Sequence, residues 1–86
     1  MTRNSGLVQV GELTAAASWE TGECLVIRFD PKLLKKEQLQ LLLRMRDRRE
    51  LVTVAIPSRE EERRHIVGFD QNDHALYLAT LEQAAS

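Results

Sequence analysis

Asp30-Pro31 is the strongest punctuation in this chain, and the twenty or so residues after it limit the fold to a narrow class. Aspartate is a good helix N-cap, and proline is best tolerated at the first helical position, where no N–H is needed. Leucine, lysine, glutamine and arginine dominate the next stretch, and all favour helix. The pattern predicts one long helix from Pro31 to about Arg49, with strand-like segments on both sides.

On the N-terminal side, Gly6–Ser18 carries Leu7, Val8, Val10 and Leu13 without a helical stripe and reads as a strand. Glu20-Thr21-Gly22-Glu23 is a turn candidate. Cys24–Phe29 alternates, with Leu25, Ile27 and Phe29 on one side and Cys24, Val26 and Arg28 on the other. That period marks a half-buried strand, and the pair forms an expected hairpin.

Beyond the helix, Leu51–Ile56 is a continuous, β-branched run stopped by Pro57, the pattern of a buried strand. Ser58 and Glu61 have capping-box spacing, so Arg59–Arg64 is either one helical turn or a charged loop. Arg64–Phe69 resumes strand character. Asp70-Gln71-Asn72-Asp73 is a cluster of turn formers before His74–Leu81. A second hairpin is expected there, with a short helix capped by Asp73 as the competing assignment.

The expected architecture is therefore α+β, in the order β-β-α-β-β-β. One long helix would lie on a mostly antiparallel sheet of about five strands. With 86 residues the chain is a single domain spanning 1–86, with disordered ends expected at 1–5 and 83–86. A chain this short buries only about 60–65% of its unfolded surface, so a partner subunit would add useful burial.

Composition removes several classes. Cys24 is the only cysteine, which rules out an intrachain disulfide and fits a reducing compartment. The opening residues lack the apolar core of a secretory signal, and no apolar run reaches the roughly 20 residues of a membrane helix. A cytoplasmic location is expected. Net charge is −1, so no global field draws the chain to nucleic acid or anionic lipid. Locally the charge is uneven: residues 28–49 hold eight Lys/Arg against three Asp/Glu, and the remainder holds four against ten.

The helix has more apolar surface than one sheet needs. At about 100° per residue, Leu34, Leu41 and Met45 form a natural sheet-facing stripe. Leu39, Leu42 and Leu43 form an adjoining one, flanked by Lys35 and Arg46. A surface helix needs an apolar stripe only somewhat wider than about 100°. Either the sheet curls over the helix or the second stripe meets another molecule. The expected interface is Leu39, Leu42 and Leu43, rimmed by the stems of Lys35 and Arg46.

Other features are weaker. Arg44, Arg46, Arg48 and Arg49 could contact phosphate, but cations in a last helical turn also complement the macrodipole and simply solvate. The four scatter around the wheel, and Trp19, Phe29, Phe69 and Tyr77 are the only aromatics available for stacking on bases. Glu60-Glu61-Glu62 is an acidic docking patch or a solvated loop, with Glu60 pairing to Arg64 at helical spacing. Cys24 with His65 or His74 is the one nucleophile–base combination, and a cysteine in an apolar strand more often serves as a small hydrophobe. Gly6, Gly11, Gly22 and Gly68 are too dispersed for a phosphate loop. Cys24, His65, Asp70, Asp73 and His74 lack metal-ligand spacing.

The sequence thus predicts a small non-enzymatic accessory or regulatory protein of bacterial style, without cofactor or metal, acting through protein–protein contact as a homodimer. The alternative is a nucleic-acid binder using the basic helix 31–49.

Overall fold

The computed structural model describes residues 5–22, 24–57 and 59–79. Within them, six strands and one helix run in the order β1 (Ser5–Val10), β2 (Leu13–Glu20), β3 (Leu25–Phe29), α1 (Lys36–Arg48), β4 (Leu51–Ala55), β5 (Glu62–Asp70) and β6 (Ala75–Leu78). The strands close into a barrel in the order β1-β2-β3-β6-β5-β4, with every neighbouring pair antiparallel.

This overturns the expected α+β arrangement, a long helix lying on an open sheet of about five strands. The additional strand comes from the N-terminal segment Gly6–Ser18, expected to be a single strand. That segment is a hairpin, with Ser5 opposite Ser18 and Val10 opposite Leu13. Gly11 opens the two-residue connection at φ +60°, a conformation glycine adopts without steric cost. The sixth strand lets the sheet meet itself. Val10 pairs with Val54 and Gln9 with Ala55, and the Gly11 N–H donates to the Thr53 carbonyl at 2.8 Å.

Period-2 alternation fills the interior. Val8 and Val10, Leu13 to Trp19 on alternate positions, Leu25, Ile27 and Phe29, Val52 and Val54, Ile66, and Leu76 and Leu78 all point inward. Ala15 and Ala17 on β2 leave room for bulkier neighbours, the small–large matching a narrow barrel needs. Strand β4 is not buried on both faces as expected: it alternates, with Leu51 and Thr53 outward.

The helix is shorter than expected and enters differently. Asp30 does organise the chain: its Oδ1 accepts the Lys32 N–H at 2.9 Å, and its carbonyl accepts the Leu33 and Leu34 N–H groups at 3.0 Å. The chain then turns extended at Lys35 (φ −74°, ψ 155°), so α1 begins at Lys36. Lysine has no acceptor with which to cap a helix. Gln38 ties the entry down instead, its Oε1 accepting the N–H of Lys35 itself at 2.8 Å while its Nε2 donates to the Thr14 carbonyl at 3.2 Å. At the other end Arg49 is left-handed, and the Glu50 N–H closes on the Met45 carbonyl at 3.2 Å.

Because α1 joins the upper ends of β3 and β4, it lies across that mouth of the barrel. Leu42 and Met45 drop into the mouth and are buried, and Leu34, Leu39, Leu41 and Leu43 pack around them. A helix over a bowl buries a wider arc than one on a flat sheet, and this absorbs the surplus leucines.

Polar groups occupy the lower end. Arg64 points inward and is 7% exposed. Its Nε and Nη2 reach Glu62 Oε2 at 2.8 and 2.6 Å, and its Nη1 donates to the Ala79 carbonyl at 3.0 Å. Arg59 joins the same carboxylate at 3.4 Å. The expected Glu60–Arg64 helical pair is thus replaced by an ion pair within a strand. Ser58, half of the expected capping box, lies outside the described residues.

The expected C-terminal hairpin is present through Leu78. The part of that expectation beyond Ala79 falls outside the described residues.

Candidate interaction surface

The barrel interior is occupied by side chains, so the accessible chemistry of the described residues lies on the outer wall and at the rims. Leu42, the centre of the interface expected from sequence, is 0% exposed and offers nothing to a partner. Leu39 and Leu43 are half-buried against the core. Lys35 is exposed, and Arg46 folds onto its neighbour Asp47 at 2.8 Å. The five residues do not form one exposed apolar face.

The arginines separate as the helical wheel suggests. Arg44 and Arg48, one helical turn apart, line a cleft of about 360 Å³ between α1 and β4. Glu12 and Glu50 line the same cleft, so its cations face carboxylates already in place. Arg46 is held by Asp47, and Arg49 forms the left-handed cap. The unevenness of charge along the sequence is reduced in space: the connections carrying Glu12, Glu50, Asp70 and Asp73 gather at the same end of the barrel as the basic helix.

A second open cleft of about 510 Å³ runs along the outside of β2, floored by Gly6, Ala16 and Ser18 and edged by Arg28, Asp30 and Asp73. Arg28 is engaged by Glu20 at 2.9 Å. Cys24 is half-buried just before β3. Cys24 and His65 flank β6 from opposite sides, because Leu25 pairs with Leu78 and the Ala79 N–H donates to the His65 carbonyl. Two strand spacings, about 10 Å, separate them, well beyond proton-transfer reach. His74 sits in the turn at the opposite end, its ring edge-on to Phe69 at 6.5 Å. Among the described residues no three His, Cys, Asp or Glu side chains group to hold a metal ion. Nor is any helix among them long and apolar enough to cross a membrane.

The exposed large apolar side chains are Leu7, Leu33, Leu51 and Val67. Leu7 stands alone among Ser5, Gln9, Ala16 and Thr14, and Leu33 projects from the turn before α1. Isolated residues of this kind are ordinary. Leu51 (42% exposed) and Val67 (56%) are different, because they share one face. Leu51 lies directly opposite His65, two residues before Val67 on β5. Val67 is the extra residue of a β-bulge, where Ile66 pairs with Leu78 and Gly68 with Tyr77. With no side chain at Gly68, the Tyr77 ring lies close over the backbone beside Val67. Tyr77 in turn pairs with the outward Val26. A half-apolar band thus runs across four strands: Leu51, His65 and Val67, Tyr77, then Val26.

Sequence reasoning missed this band. Leu51 belongs to a run with the pattern of a strand buried on both sides, and Val67 is turned outward by a bulge that leaves no signal in hydrophobic periodicity. Gly68 was the available clue, since glycine within a strand often marks a bulge.

No protein family, characterised protein or solved structure matches the chain.

Proposed function

We propose that this protein is a non-catalytic accessory domain that acts by protein–protein contact through the outer face of β4 and β5. The observation that supports this most is the pairing of Leu51 and Val67 on one exposed face, extended by Tyr77 and Val26. An apolar centre with His65, Thr53 and Arg63 around it has the composition of an interface core and rim. Barrel closure leaves no free strand edge among the described residues, so the contact is made by side chains and not by strand addition. The basic helix is less suited to phosphate, because Glu12 and Glu50 share the cleft of Arg44 and Arg48.

The test is site-specific photo-crosslinking in cells, with the reactive residue placed at Thr53 and, as a control, at Thr14, which lies off the β4–β5 face on β2. Both positions are exposed. Covalent protein adducts are expected from Thr53 and not from Thr14, and Leu51→Glu with Val67→Glu should abolish them. Equal labelling from both positions, or adducts indifferent to the two substitutions, would remove the reading.

A further inference from the structure

We propose that the β1–β4 seam is a gate, the place where the barrel opens while its other ladders stay closed. The barrel is two three-stranded meanders, β1–β3 and β4–β6, joined in sequence by the α1 connection and by strand pairing at two seams alone. The two seams are unequal. β3 pairs with β6 at four positions, from Leu25 with Leu78 to Arg28 with Ala75, and the Phe29 N–H donates to the His74 carbonyl at 2.9 Å. β1 pairs with β4 at two positions among the described residues, Gln9 with Ala55 and Val10 with Val54, and the Gly11 N–H adds its bond to Thr53. Every other ladder has four or six paired positions.

The sequence limits this seam from both ends. Below Ala55 the chain reaches Pro57, which has no N–H to donate to β1. Its ring lies beside Gly6, where an added methyl would come within 3.3 Å of Pro57 Cγ. Above Val10 the chain turns away at Gly11, and the gap between that turn, α1 and β4 is the cleft of about 360 Å³ lined by Gly11, Glu12, Arg44 and Leu51. Opening the seam moves the β1–β2 hairpin as a unit, since β1 keeps its six pairs with β2. Fewer paired positions part there than at any other ladder, and the segments of a fold held by least open first. The opened state presents the backbone groups of β1 and β4 to an extended segment of another chain, a mode of contact the closed barrel lacks.

The experiment is native-state hydrogen exchange of the full chain by NMR at low urea, with and without a disulfide across the seam. Gln9→Cys with Ala55→Cys supplies it in a Cys24→Ser background, because paired positions about 5.5 Å apart or less suit a disulfide. In the wild type the Gly11 amide should be protected relative to an unstructured chain. It should nonetheless exchange about tenfold or more faster than the amides of Phe29 and Ile66, which bond to the His74 and Glu50 carbonyls. Its urea dependence should be shallower than theirs, since opening one seam exposes less surface than unfolding the barrel. Oxidation of the two cysteines should remove the difference in rate, and reduction should restore it. A wild-type Gly11 amide with the rate and urea slope of Phe29 and Ile66 overturns the inference, whether or not the disulfide forms. A Gly11 amide without any protection overturns it too, because no closed seam then exists to open. So does fast exchange that persists once the disulfide has formed, which marks fraying of the turn alone. The β4–β5 face is tested separately by crosslinking at Thr53, and neither result decides the other.

Discussion

Truncation of Leu42 to alanine separates a helix lying on a flat sheet from a helix plugging a barrel. On a flat sheet with the Leu34–Leu41–Met45 stripe inward, Leu42 sits on the outer arc, and its truncation would cost less than about 0.5 kcal/mol, as for surface positions generally. In the structure Leu42 is wholly enclosed in the mouth of the barrel beside Met45. Deleting its branched end removes apolar burial worth about 2 kcal/mol and leaves a cavity in a rigid setting. Closed strands on all sides restrict collapse into that space, so the expected loss is about 3 kcal/mol, within the roughly 2–5 kcal/mol range of such truncations. For a chain of 86 residues this corresponds to a fall in Tm of about 12–24 °C. Urea unfolding followed by Trp19 fluorescence should show a lower midpoint at unchanged m-value. Leu33→Ala serves as the internal control, since Leu33 is 60% exposed, and should change stability by less than about 0.5 kcal/mol. Equal, small effects at both positions would refute the capped-barrel geometry.

Two further perturbations probe the seam and the lower plug. Gly11→Ala should destabilise by about 1–2 kcal/mol in the same assay, because φ +60° strains any side chain there; the space itself is adequate, with Val52 Cγ1 3.5 Å and Met45 Sδ 3.7 Å from the added methyl. Glu62→Gln should cost about 1–3 kcal/mol by leaving the buried Arg64 guanidinium without its counter-charge, less than for a fully enclosed pair because the Glu62 side chain is 23% exposed. The double variant Glu62→Gln with Arg64→Met should recover part of that loss, and a strictly additive result would show that the pair is not coupled.

The features legible in the sequence were those with a local cause. Helix α1 follows from its run of helix formers, and Asp30 organises its approach, although the extended Lys35 delays the first turn to Lys36. Strands β3, β4 and β5 follow from alternation and β-branching, and the β5–β6 hairpin from the turn formers after Phe69. The features that escaped depended on closure. A single glycine at position 11, followed by Glu12, divides one apparent strand into two, and the extra strand converts an open sheet into a barrel. Once the sheet closes, helical-wheel arithmetic no longer says which leucines are free: Leu42 goes inside, while Leu51, expected in the core, faces out. The likeness of Arg59–Arg64 to a helical turn failed for a similar reason, since Arg64 is drawn inward by Glu62 and the Ala79 carbonyl.

Closure of β1 on β4 underlies both the pairing of every described strand on two sides and the position of the proposed contact face. The direct test is an NMR measurement at that seam. Cross-strand NOEs between Gln9 and Ala55 and between Val10 and Val54 are expected, together with slow hydrogen exchange at the Gly11 amide bonded to Thr53. Missing NOEs with a rapidly exchanging Gly11 amide would mean an open sheet, whose unpaired β1 and β4 edges would then be the surfaces available to a partner.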